Sequence, residues 1–134
     1  MYSWIVELKA PKVMSFLATT DLDRAKDFFT NTLALPFREE DGWGAMFENG
    51  GTILRVQRVN VVNPAPYTVL GWEVDDISAI IRTLRVRGVS FQRVPGLEQD
   101  ELGVWTTPDG TKVAWFKDPD GNILSFTQFG HKIL

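Results

Sequence analysis

Apolar residues fall along this chain in two rhythms, a period of two and a helical period, and the order of the rhythms repeats. Residues 13–19 (VMSFLAT) form a β-rich run that reads as a first strand. Leu22, Ala25, Phe28, Phe29 and Leu33 then share one helical face, while Asp23, Arg24, Lys26, Asp27 and Asn31 share the other. Thr20 reads as the N-cap, with Asp23 at capping-box spacing and Asp21 favourable at the positive helix end. Pro36 stops the helix. Three β-rich runs follow, 37–40, 43–48 and 52–59, divided by an Asp41-Gly42 turn and an Asn49-Gly50-Gly51 turn. Such turns between β-rich runs predict a three-stranded meander. The order to this point is βαβββ.

Residues 60–66 (NVVNPAP) make a linker, and the pattern begins again. Residues 68–74 predict a strand, and Asp75 or Asp76 caps a helix whose apolar stripe is Ile77, Ile80, Ile81 and Leu84. Arg82, Arg85 and Arg87 lie towards its negative end, and Gly88 is its C-cap. Strands are expected at 89–94 and 102–107, separated by a polar loop at 95–101. A Pro108-Asp109-Gly110 turn leads to 111–117, and Asp118-Pro119-Asp120-Gly121-Asn122 joins that run to 123–128. The two halves register residue by residue. Asp21 corresponds to Asp76, and the run 51–55 (GTILR) corresponds to 121–125 (GNILS). This is an internal duplication. It predicts an α+β fold of two tandem βαβββ modules, about 12–59 and about 67–129, within one domain spanning 1–134. A chain of this length buries roughly two-thirds of its unfolded surface.

Composition narrows the chemistry mainly by exclusion. The chain has no cysteine, so thiolate nucleophiles, thiolate metal sites and disulfides are absent. Its net charge is -3 and its basic residues are scattered, which argues against nucleic acid or an anionic membrane as partner. Residues 1–8 (MYSWIVEL) lack a basic leader and are too short to span a bilayer, so the expectation is a soluble cytoplasmic protein. Residues 1–11 form an arm ending at Pro11, and 3–8 read equally as an extra strand or a loose tail. The single histidine, His131, reads as a solvated tail residue.

Three segments, TTDLDRAKDFFTNTLALP, GWEVDDISAIIRTLRVRGV and FKDPDGNILSFTQ, make the chain resemble the vicinal oxygen chelate superfamily. That superfamily includes glyoxalase I, extradiol dioxygenases and bleomycin resistance proteins. The resemblance covers about residues 12–129, with Phe29 where a Tyr is usual and Ala34 where a Gly commonly follows the helix. It implies curved sheets that face each other around a cleft, with the helices outside. It also implies a divalent metal held from the first and last strands of each module. Those four positions map to Met14, Arg55, Val69 and Ser125, none of which can hold such an ion. Their neighbours, Val13, Ser15, Leu54, Val56, Thr68, Leu70, Leu124 and Phe126, include no His, Asp or Glu. No metal and no cofactor is therefore expected.

Period-two alternation then assigns the cleft. It places Met14, Phe16 and Ala18 on the cleft side of the first strand and Ile53, Arg55 and Gln57 on that of the fourth. Val69, Gly71 and Glu73 follow from the fifth, and Ile123, Ser125 and Thr127 from the last. The opposite parity gives Val13, Leu17, Leu54, Val56, Leu70, Trp72, Val74, Leu124 and Phe126, an apolar set suited to packing under helices. Within the cleft, Arg55 can grip a carboxylate or phosphate through paired donors, or can pair with Glu73. Glu73 is alternatively a general base if burial raises its pKa. Ser125 and Thr127 are ligand donors or wall, and Trp43, Trp105 and Trp115 line the cleft or belong to core and rim. The first expectation is a metal-independent small-molecule binder, a homodimer by the resemblance, preferring an anionic or neutral aromatic ligand to a cationic drug. The alternative is a lyase, isomerase or dioxygenase-type enzyme, metal-free or with an unrecognised metal site. A structural module with a vestigial cleft is the third.

Overall fold

The computed structural model describes residues 7–134. The first module runs β1 (Met14–Thr19), α1 (Leu22–Asp27), β2 (Phe37–Glu40), β3 (Gly44–Asn49) and β4 (Thr52–Arg58). The second runs β5 (Thr68–Glu73), α2 (Ile77–Val86), β6 (Trp105–Thr106), β7 (Lys112–Lys117) and β8 (Ile123–Gln128). Each module makes one four-stranded mixed sheet, in the orders β1-β4-β3-β2 and β5-β8-β7-β6. In both, the first strand lies parallel to the last, and antiparallel hairpins supply the rest. The expected α+β architecture of tandem βαβββ modules is thus present. No described helix is long and apolar enough to span a membrane. Residues 3–6 of the segment that reads as strand or tail lie outside the described residues, and 7–13 are exposed without regular structure.

One apolar core runs through both modules. Leu17, Leu54, Val56, Ala45 and Phe47 come from the inner face of the first sheet, and Ala114, Phe116, Leu124 and Phe126 from that of the second. Ala25 and Phe29 cover the first set, and Ile77, Ile81 and Leu84 belong to the second helix. Leu70, Trp72 and Val74 are partly buried against this core. Val13, expected on the same side, precedes β1 and is exposed.

Several local expectations need correction. The cap of α1 is Asp21, whose Oδ1 accepts from the Arg24 amide at 3.1 Å, and not Thr20. Asp76 takes the equivalent role at α2, accepting from the Ala79 amide at 3.1 Å. The first helix is α-helical only to Asp27 and continues through Phe28–Thr32 as a π-helical turn. It ends at Ala34, which has φ 59. The strand expected at 89–94 is absent, leaving a single bridge from Phe91 to Phe116. Here the Gln99 side chain supplies what a neighbouring strand would. It accepts from the Val94 amide at 2.7 Å and donates to the Gln92 and Gly103 carbonyls. The strand expected at 102–107 shrinks to Trp105–Thr106.

Polar bonds between the modules concentrate at the turn before β8. Asp120 Oδ1 accepts from the Thr20 amide (3.0 Å), the Thr20 hydroxyl (3.2 Å) and Arg24 Nη2 (2.8 Å), and its side chain is 3% exposed. Asn122 donates to the Ala18 carbonyl at 3.1 Å. Asp118 organises the turn from within, accepting from the Asp120 and Asn122 amides and from the Asn122 side chain. Burial pushes the Asp118 carboxyl up, and the hydrogen bonds do not offset it. Burial pushes Asp120 up as well, but hydrogen bonds from the Thr19–Thr20 segment and the Arg24 charge outweigh it, holding that carboxyl below its ordinary range. Two further bonds cross the junction, from Trp72 Nε1 to Asn49 Oδ1 at 2.6 Å and from Arg87 Nη1 to the Thr32 carbonyl at 2.9 Å.

Candidate functional site

The face of each sheet turned away from the core carries the candidate residues. In the first sheet Phe16 of β1 lies beside Arg55 of β4, with Met46 of β3 on the other side of Arg55. Met14 neighbours Ile53, and Gln57 neighbours Ala18 and Gly44 in the same register. This face is open: Met14 is 46% and Phe16 57% exposed, and Gln57 is exposed as well.

Arg55 has a partner, and it is not Glu73. Its Nη1 and Nη2 donate to the two Asp41 oxygens, each at 3.2 Å. A Cβ on Gly44 would stand 2.7 Å from the Val56 carbonyl oxygen and 3.1 Å from Arg55 Cζ, so the missing side chain leaves room for both the ladder and the guanidinium. Asp41 is fixed in turn by amide donors from Trp43 and Gly44. The Arg55 hydrogen bond, with those amides, holds the Asp41 carboxyl below the usual range. Asp41 is the contributor that sequence pattern misses. The Asp41-Gly42 turn is visible in the sequence, but its side-chain partner is set by the register between β3 and β4.

In the second sheet Gly71 lies beside Ser125, and Glu73 beside Thr127. A register shift between Thr68 and Leu70 interrupts the ladder at Val69, which is 41% exposed. Gly71 and Glu73 are exposed, whereas Ser125 is buried at 7%. A Cβ on Gly71 would stand 2.7 Å from Ser125 Oγ, so Gly71 leaves the room in which that hydroxyl sits. Trp115 follows Ser125 across the next ladder, and Trp105 faces Val113 beyond it. The two indoles stack with centroids 6.2 Å apart and planes at 27°. They extend the Gly71–Ser125 row into an aromatic platform. Trp43 is separate, 70% exposed at the β2–β3 turn.

Met14, Phe16, Arg55 and Gln57 thus share one face of the first sheet, and Glu73, Ser125 and Thr127 one face of the second, while Val69 sits at the interruption of its ladder. Among the described residues no hydrogen bond or ion pair connects one set to the other. Nor do three His, Asp or Glu side chains gather where a metal ion could sit. His131 lies apart in the tail, with Nδ1 3.1 Å from Asp109 Oδ2, both side chains half exposed.

The model of the Glyoxalase/Bleomycin resistance protein/Dioxygenase superfamily matches residues 9–126. No protein of curated function matches the sequence. Among solved structures, a glyoxalase family protein from Bacillus anthracis is similar with a TM-score of 0.72 at 16% identity, covering 92% of this chain and 98% of that one. A superfamily member from Sphaerobacter thermophilus gives 0.70 at 23% identity, over 90% and 98%. Lactoylglutathione lyase from Agrobacterium tumefaciens gives 0.69 at 15% identity, over 90% and 95%. Likeness at these identities is a likeness of fold.

Proposed function

Because the chain belongs to the Glyoxalase/Bleomycin resistance protein/Dioxygenase superfamily, we propose that it binds a small, flat organic molecule on the open faces of its sheets without a divalent metal. The stacked Trp105–Trp115 pair beside Ser125 is the observation that carries this reading. Aromatic rings stack on such a platform through offset contacts, and a neighbouring hydroxyl fixes orientation. Met14, Arg55, Val69 and Ser125, at the superfamily's ligand positions, offer a thioether, a guanidinium, an isopropyl group and a hydroxyl, so the family's ion does not fit them. Arg55 already shares two donors with Asp41. An anionic ligand therefore uses its remaining N–H groups or displaces Asp41, and a neutral aromatic needs neither. The exposure of Met14, Phe16 and Val69 supports a second copy of the chain as the cover for these faces.

The test is a thermal-shift screen of the untagged protein against flat aromatic metabolites and antibiotics, with and without EDTA. A ligand at about a hundred times its Kd adds roughly 2.7 kcal/mol. The expected result is a hit that EDTA leaves intact and that Trp115→Ala or Gly71→Leu removes. Stabilisation abolished by EDTA would overturn the metal-free reading. Turnover of a hit, lost in Glu73→Gln, would replace binding by catalysis.

A further inference from the structure

A groove of about 370 Å³ lies away from the open faces, alongside α2. Ala79, Ile80, Thr83 and Arg87 line it at helical spacing, so it runs lengthwise for about 12 Å. Its floor is the core itself, Leu84 and Phe126, together with Trp72. The Trp72 N–H is already bound to Asn49, which leaves carbon as the main surface of the floor. Leu33 and Leu35 of the first module form part of the wall.

The two ends of the groove differ. Arg87 stands at the end reached by the C-terminus of α2, and Ala79 at the end nearer the start of the helix. Among the described residues the one partner of the Arg87 side chain is the Thr32 carbonyl, held by Nη1. A guanidinium carries five donors in a fixed fork, so most remain to receive an anion. We propose that this groove is a second binding site, distinct from the open faces, for a linear carboxylate with a medium-length hydrocarbon tail. The carboxylate sits on Arg87 and the tail runs along α2 towards Ala79. A volume of this size falls within the range of small-molecule sites.

The Trp72 indole N–H signal in nitrogen–proton correlation spectra of the full chain, assigned with Trp72→Phe, reports on the floor. Hexanoate, octanoate and decanoate are titrated below their micelle concentrations, with octanol as the headless control. A saturable shift is expected, with Kd tightening about fourfold per added methylene until the tail outgrows the groove. Octanol should bind at least about tenfold more weakly than octanoate, the cost of losing a charge-assisted bond. Arg87→Gln, which can still donate to Thr32, should weaken octanoate about tenfold and leave octanol unchanged. Thr83→Trp, at an exposed position, should fill the groove and abolish both. Absence of a saturable shift overturns the proposal, as does binding that survives Thr83→Trp or that treats octanol and octanoate alike. A Trp72 signal that moves on dilution of the protein alone overturns it too, because a second copy then covers the groove.

Discussion

The turn into β4, Asn49–Gly51, and the turn into β8, Asp118–Asn122, occupy equivalent places in the two modules. Both present a glycine with φ near +85, Gly51 directly before β4 and Gly121 one residue removed from β8. Both also reach across to the other module. The first does so with one neutral bond, Asn49 Oδ1 accepting from Trp72. The second does so with a buried carboxylate that takes three donors, backed by Asn122 on the Ala18 carbonyl. The two turns share this glycine conformation, while the polar bonds between modules are concentrated at one of them. Three bonds to a carboxylate, one of them from a guanidinium, outweigh a single neutral one, so the second turn dominates.

Removing that carboxylate is the strongest way to break the asymmetry. Asp120→Ala strips Thr20 and Arg24 of their acceptor and should cost about 2–3 kcal/mol, or about 8–12 °C in Tm. The cost should depend on pH. Because Asp120 is held below its ordinary value in the fold, its contribution is complete above about pH 4 and fades as pH falls through the depressed folded value. The gap between wild type and Asp120→Ala in urea denaturation should therefore narrow on acidification. A gap that stays constant to pH 2 would mean that the charge contributes nothing. Asp118 works in the opposite sense. Its raised carboxyl favours the fold when protonated, and that advantage is lost as pH rises through the raised value.

The weaker turn is tested by Trp72→Phe, which keeps most of the ring and deletes the N–H. About 1 kcal/mol is expected, read as a shift in the denaturation midpoint with unchanged slope. A loss equal to that of Asp120→Ala would show the two turns to be energetic equals. The smallest effect concerns another equivalent pair. The second helix ends at Gly88 with φ 91, the first at Ala34 with φ 59. Ala34→Gly removes a left-handed strain and should stabilise by about 0.5–1 kcal/mol, net of the entropy glycine costs. Destabilisation by calorimetry would show the Ala34 methyl group to matter more than its backbone.

What could be read in the sequence, and what could not, follows the range of the forces involved. Alternation fixed which side of β1, β4, β5 and β8 meets the core, because burial imposes a period of two on residues such as Leu54, Val56, Leu124 and Phe126. Turn glycines and capping aspartates are local and were legible to within a residue, with Thr20 and Asp21 confused because both are good caps. The run 89–94 has strand composition, yet Gln99 satisfies its backbone from a side chain five residues beyond Val94, an alternative that no propensity scale records. The pairing of Arg55 with Asp41 rather than Glu73 was equally hidden. It depends on hairpin register and on the absent side chain of Gly44. The α2 groove escaped because its walls come from both modules, and nothing local in either one announces the other.

Pairing the first strand of each module with its last has a consequence for the order in which the protein can be assembled. Neither sheet closes until some ~40 or more residues have been made, a long loop to fix before non-local contacts repay it. All the strands of the first sheet leave the ribosome before the linker, whereas the second waits for β8. Asp120 belongs to the final hairpin. The residue that bonds the halves at this turn is therefore made after every strand except β8, and the two modules cannot lock through it until the second module is nearly complete.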